Sequence, residues 1–139
     1  RGYGNESLVA EAIRHVQGAR LVTKGGMSRT GGAWIPDGRA RAIRADCEAS
    51  LAALDGQPID LYLLHAPDQR VPWTTSLRAL AALVDEGLVA RVGICNVNRA
   101  QLDVAVGINS VERFLGMMRS ARAGKFPSTW RRRVSGCWW

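Results

Sequence analysis

The stretch that most constrains this chain is Asp60-Leu61-Tyr62-Leu63-Leu64-His65-Ala66-Pro67-Asp68. Four consecutive apolar residues are the pattern of a parallel strand covered on both faces. Pro67 has no N–H to give a central ladder, so the strand stops at about His65. A parallel strand needs helical crossovers around it. It also delivers His65 to its C-terminal tip, the end where α/β folds collect catalytic groups. A histidine after an apolar run is also the pattern of a packed structural residue, so its surroundings decide.

Those surroundings alternate. Residues 6–17 place Leu8, Val9, Ala12, Ile13 and Val16 on one helical face, with Gly18 as the stop. Arg20-Leu21-Val22-Thr23-Lys24 reads as a short strand closed by Gly25-Gly26, a turn or a phosphate cradle. A long polar loop follows, containing Gly31-Gly32-Ala33-Trp34-Ile35-Pro36-Asp37-Gly38. Asp37 or the turn after it caps a helix over 39–54 with Ile43, Cys47, Leu51 and Leu54 inward. The strand over 59–65 precedes a helix over 75–86, with Leu77, Leu80, Ala81 and Val84 on its apolar side and Gly87 at its end. A third strand spans 91–95 and a short helix 99–106. This order predicts a parallel sheet with right-handed crossovers. His15 and Cys47 fall within predicted helices and read as structural.

Composition narrows the function classes. A length of 139 residues allows one domain or a piece of a larger one. No run approaches the roughly 20 apolar residues of a membrane span, and no signal peptide is evident. Three cysteines, Cys47, Cys95 and Cys137, are too few and too widely spaced for a disulfide frame or a zinc site. Reduced thiols and a cytoplasmic setting are the expectation. The net charge of +7 is unevenly placed: residues 1–112 hold twelve Lys+Arg and twelve Asp+Glu, whereas 113–139 hold seven cations and no acid. The last segment also holds five of the nine aromatics, including Trp130, Trp138 and Trp139. Two units follow, a neutral globular part over 1–112 and a basic Arg/Trp-rich tail over 113–139 expected to be poorly ordered.

Each predicted strand ends in distinct chemistry: Lys24, then His65, then Cys95-Asn96. Tyr3-Gly4-Asn5-Glu6-Ser7, Val22-Thr23-Lys24, Leu61-Tyr62-Leu63-Leu64-His65 and Val92-Gly93-Ile94-Cys95-Asn96-Val97 resemble successive blocks of the aldo-keto reductases, in order and spacing, over residues 1 to about 106. The resemblance implies part of a TIM (β/α)8 barrel, from the end of the strand 2 region to about helix 5, with three parallel strands and no closure. It implies NADP or NAD as cofactor, a small-molecule carbonyl substrate, and reduction of aldehydes and ketones to alcohols. By position, Tyr3 is the general acid that protonates the carbonyl oxygen and Lys24 the cation that lowers the tyrosine pKa. His65 is the donor that orients the substrate carbonyl. Cys95, where the family usually has Ser, and Asn96 hold the nicotinamide carboxamide, the thiol being the weaker donor. Trp34 walls the substrate pocket, and no metal is implied.

The family's catalytic aspartate lies upstream of Arg1, and its last three strands, with the phosphate-binding segments, find no counterpart. The truncated chain is therefore expected to be inactive. Reading the bases of residues 113–139 two nucleotides further on permits a more acidic, family-like text, so the tail reads as out of frame. The alternative is a non-enzymatic binding module whose basic-aromatic tail contacts nucleic acid or acidic surfaces. Only composition supports it, and neither a specific nucleic acid nor a membrane is expected as partner.

Overall fold

The computed structural model describes residues 5–108 and, for the backbone alone, 114–116. Tyr3, Cys137 and most of the tail lie outside the described residues. The elements are α1 (Glu6–Ile13), β1 (Val22–Gly25), β2 (Met27–Thr30), β3 (Ala33–Pro36), α2 (Ala40–Ala53), β4 (Leu61–Leu64), α3 (Trp73–Asp85), β5 (Val92–Ile94), α4 (Arg99–Ile108) and β6 (Phe114–Gly116). Strands β1, β4, β5 and β6 form one parallel sheet in that order. It is an open arc rather than a closed barrel. It has one strand more than the sequence predicts, because β6 falls inside the segment read as tail.

Strand alternation divides the sheet into two faces. Tyr62, Leu64, Val92 and Ile94 are fully buried on one of them. They share a single core with Ile43 and Cys47 of α2, Leu77, Leu80 and Leu83 of α3, and Leu102 and Ala105 of α4. The helices thus cover this face. The other face carries a separate small cluster, Leu61, Leu63 and Cys95.

Four local expectations change. First, α1 ends at Ile13, four residues short, and its predicted apolar face is not the buried one. Leu8, Val9 and Val16 are exposed, while Ala10 is buried and Ile13 half-buried. The reason is polar: Glu6 accepts hydrogen bonds from Thr23 Oγ1 at 2.9 Å and Ser50 Oγ at 2.7 Å. That contact turns the Glu6–Ala10–Ile13 stripe inward. His15 consequently lies beyond the helix, in an exposed turn.

Second, the predicted polar loop contains an antiparallel hairpin, β2–β3, in register Met27↔Pro36 through Thr30↔Ala33. Its two-residue tip, Gly31-Gly32, has φ of +57° and +87°, the left-handed geometry that two-residue hairpin turns require. Third, Gly25-Gly26, read as a turn or a phosphate cradle, is closely packed, and Gly25 ends β1. A Cβ at Gly25 would overlap the Tyr62 hydroxyl, and one at Gly26 would overlap Leu64 Cδ1. The Gly26 amide is already bonded to Asp46 at 2.9 Å. Fourth, Asp37 does not cap α2, whose N-cap is Arg39; it pairs with the Arg39 side chain instead.

Candidate active site

The tips of β1, β4 and β5 stand side by side. Lys24 is in register with Leu63, and Leu63 with Gly93, on the face away from the helices. His65 lies two residues past Leu63 and Cys95 two past Gly93, so alternation returns both to that face. The tips are joined by backbone bonds from His65 N–H to Gly25 O, 3.0 Å, and from Cys95 N–H to Leu64 O, 2.9 Å. Asn96 adds a side-chain tie, its Nδ2 donating to the His65 carbonyl at 2.7 Å. It does so from a left-handed backbone, φ +57°, which asparagine tolerates better than most residues. The expected neighbours Lys24, His65, Cys95 and Asn96 therefore converge at one sheet end.

Electrostatics tune the cluster. Burial, and then the Lys24 ammonium, hold the His65 pKa below its ordinary value. At neutral pH the imidazole is uncharged, with one N–H donor and one acceptor. Burial pushes the Cys95 thiol up, with Lys24 opposing. Cys95 is therefore a thiol at neutral pH. Lys24 itself is exposed.

Trp34 stands on the hairpin. The hairpin fills the connection from β1 to α2 and so rises from the same sheet end as His65. Trp34 is exposed, and the Arg29 guanidinium lies 5.4 Å from its ring centroid.

The sequence reading missed the structure that anchors this rim. Pro36-Asp37-Gly38-Arg39 and Pro67-Asp68-Gln69-Arg70 are two copies of one Pro-Asp-x-Arg pattern. In each, the aspartate accepts from both the backbone N–H and the Nε of the arginine two residues on. Both aspartates are buried. The Arg70 guanidinium beside Asp68 holds its carboxyl down to about 2, and Arg39 holds Asp37 below the usual range. The two units interlock: Gly38 N–H donates to Asp68 at 3.1 Å, Arg70 donates to the Pro36 carbonyl, and Ser76 Oγ donates to the Gly38 carbonyl at 2.7 Å. A Cβ at Gly38 would press on Ser76 Oγ and Asp68 Cβ, so a side chain there would force one of them to shift. The repeated tetrapeptide was the available signal. No cluster of metal-ligating residues occurs among the described residues, and no helix among them is long and apolar enough to cross a membrane.

A parallel sheet backed by helices, with lysine, histidine and Cys-Asn at successive strand tips, defines a class. The chain matches the Aldo/keto reductase family over residues 2–119 and belongs to that family. It is 36% identical over 94 residues to an uncharacterized oxidoreductase of Schizosaccharomyces pombe, covering 67% of this chain and 31% of that one. An aldo-keto reductase of Bacillus halodurans in its holo form superposes with a TM-score of 0.67 at 26% identity, covering 84% of this chain and 39% of that one. An aldo-keto reductase from Klebsiella pneumoniae in complex with NADP and acetate gives 0.56 at 28% identity, covering 75% and 34%. The chain thus spans between 31% and 39% of the length of these relatives, and its sheet is an arc of their barrel.

Proposed function

We propose that the cluster of Lys24, His65, Cys95 and Asn96 is the carbonyl-reducing centre of an NAD(P)H-dependent aldo-keto reductase, with Tyr3 as its general acid. The observation that carries this reading is the convergence of Lys24 and His65 at one sheet end, close enough for the ammonium to depress the imidazole. The cofactor supplies hydride to the carbonyl carbon. Negative charge then develops on the carbonyl oxygen, and donors held in place there lower the barrier. Neutral His65 can donate one N–H to that oxygen without first shedding a proton. Lys24 adds positive charge nearby, which favours deprotonation of an adjacent phenol.

The donor set fits a nicotinamide carboxamide in part. Asn96 retains its side-chain oxygen and one N–H beyond the bond to His65, whereas Cys95 offers only a weak S–H. Cytoplasmic placement belongs to the same proposal, supported by the free, buried thiols Cys47 and Cys95.

The isolated 139-residue chain is proposed to be inactive, because the sheet of the described residues is a four-stranded arc and a barrel of this kind has eight strands. Two measurements test the reading. Nicotinamide mononucleotide should shift the Asn96 side-chain amide in NMR, with the response lost in Asn96→Ala; an unmoved amide at saturating ligand would remove the proposal. Incubation with NADPH and a generic aldehyde should give no turnover. Saturable turnover lost in Tyr3→Phe would overturn the inactivity while strengthening the site.

A further inference from the structure

We propose that the β2–β3 hairpin carries an anion-receiving pair, Arg29 over Trp34, that selects carbonyl substrates bearing a carboxylate. The inference rests on the reading that the strand tips handle a carbonyl, and it names the substrate class. Four observations support it.

The first is placement, since the hairpin rises from the sheet end that holds Lys24, His65 and Asn96. The second is rigidity. The ladder has four residue pairs, Asp37 N–H closes onto Gly26 O at 2.8 Å, and Arg70 holds the Pro36 carbonyl. The third is geometry. Arg29 and Trp34 are directly paired across the ladder, so they share one face, and the guanidinium lies over the ring. A guanidinium held over an indole face still has N–H groups to offer, and a guanidinium matches a carboxylate in a two-point fork.

The fourth is charge. Asp37 and Asp68, the carboxylates of the rim loops, are each paired with an arginine, and Asp46 is bonded to the Gly26 amide. Among the described residues neither Lys24 nor Arg29 has a carboxylate within ion-pair distance. The rim therefore presents Arg29 with no carboxylate paired to it among the described residues.

The test is an NMR titration of the 139-residue chain, following Arg29 Nε–H, Trp34 Nε1–H and the His65 ring. The ligands are 4-acetylbenzoate, the neutral 4-methylacetophenone, and nicotinamide mononucleotide, which separates a substrate carboxylate from a cofactor phosphate. The expected result is that 4-acetylbenzoate moves all three reporters and binds about tenfold more tightly than the neutral ketone. Arg29→Gln, with an otherwise unchanged spectrum, should erase that difference and Arg29→Lys restore only part of it. Equal affinities for the two ketones, with His65 responding to both, would overturn the inference and leave the site reading standing. An Arg29 response to the mononucleotide but not to the acid would overturn it too, because the anion received would be the cofactor's. If His65 ignores both ketones, the site reading fails and the inference falls with it.

Discussion

A half-buried imidazole beside an ammonium has a direction of titration that can be stated in advance. Because folding lowers the His65 pKa, the unfolded chain binds that proton more tightly. His65 therefore contributes stability above its ordinary pKa of about 6.5, and the contribution is lost as pH falls toward the folded value. Ring NMR should find a midpoint below the ordinary value. Lys24→Met should raise it only partway, since burial is the larger cause; a return to the ordinary value would show that Lys24 alone sets the shift. Gly25 makes a second residue-level prediction. Gly25→Ala drives a methyl into the Tyr62 hydroxyl and should cost about 1–3 kcal/mol in urea unfolding. Tyr62→Phe should return part of that loss, and no rescue would place the strain elsewhere. Lys24, His65 and Asn96 were legible in the sequence because apolar runs mark where strands stop. The packing demand at Gly25 was not, because it depends on a tyrosine from the neighbouring strand.

Element by element, what the sequence revealed depended on whether the decisive contact was local. The periods of α2 and α3 and the run Leu61–Leu64 carry their own hydrophobic signature, and those elements stand where periodicity puts them. The face of α1 was misread because Glu6 reaches two other elements and overrides the apolar count. The hairpin was misread because Gly31-Gly32 was taken as loop composition rather than as a turn of fixed length. The twin Pro-Asp-x-Arg units belong to this scale as well. Asp68→Asn should cost about 1–3 kcal/mol at neutral pH, by weakening the hold on Arg70 and Gly38. In the folded protein Asp68 is held to about 2, so its contribution is complete above about 3.9 and drains away as pH falls toward 2. Acid titrations followed by circular dichroism should thus show a shallower loss in the variant over that window. Parallel curves would mean that the pair contributes no net stability.

For the whole molecule, the alternation of helices and strands made the partial barrel legible, whereas β6 lies in a segment whose composition suggests no strand. The family match likewise continues to residue 119. If 113–139 is out-of-frame text, its seven cations should bind any single-stranded oligonucleotide alike. The affinity should then fall by about 0.7 log units per log unit of salt for each phosphate engaged. Fluorescence titration between low and physiological salt checks this; sequence-dependent binding that survives salt and falls on Trp130→Ala would make the tail a selected binding element. One feature of the strand tips reaches across the site as a whole. The Asn96 amide rests on the backbone carbonyl of His65, so a ligand that draws the amide away leaves that carbonyl without its donor, and one that reorients His65 disturbs the amide. Ligands that each act on this bond would share a coupling free energy, and thermodynamic reciprocity would give it the same size in both directions. If ligands bind at both strand tips as proposed, the first to bind at one tip sets the affinity that the second meets at the other.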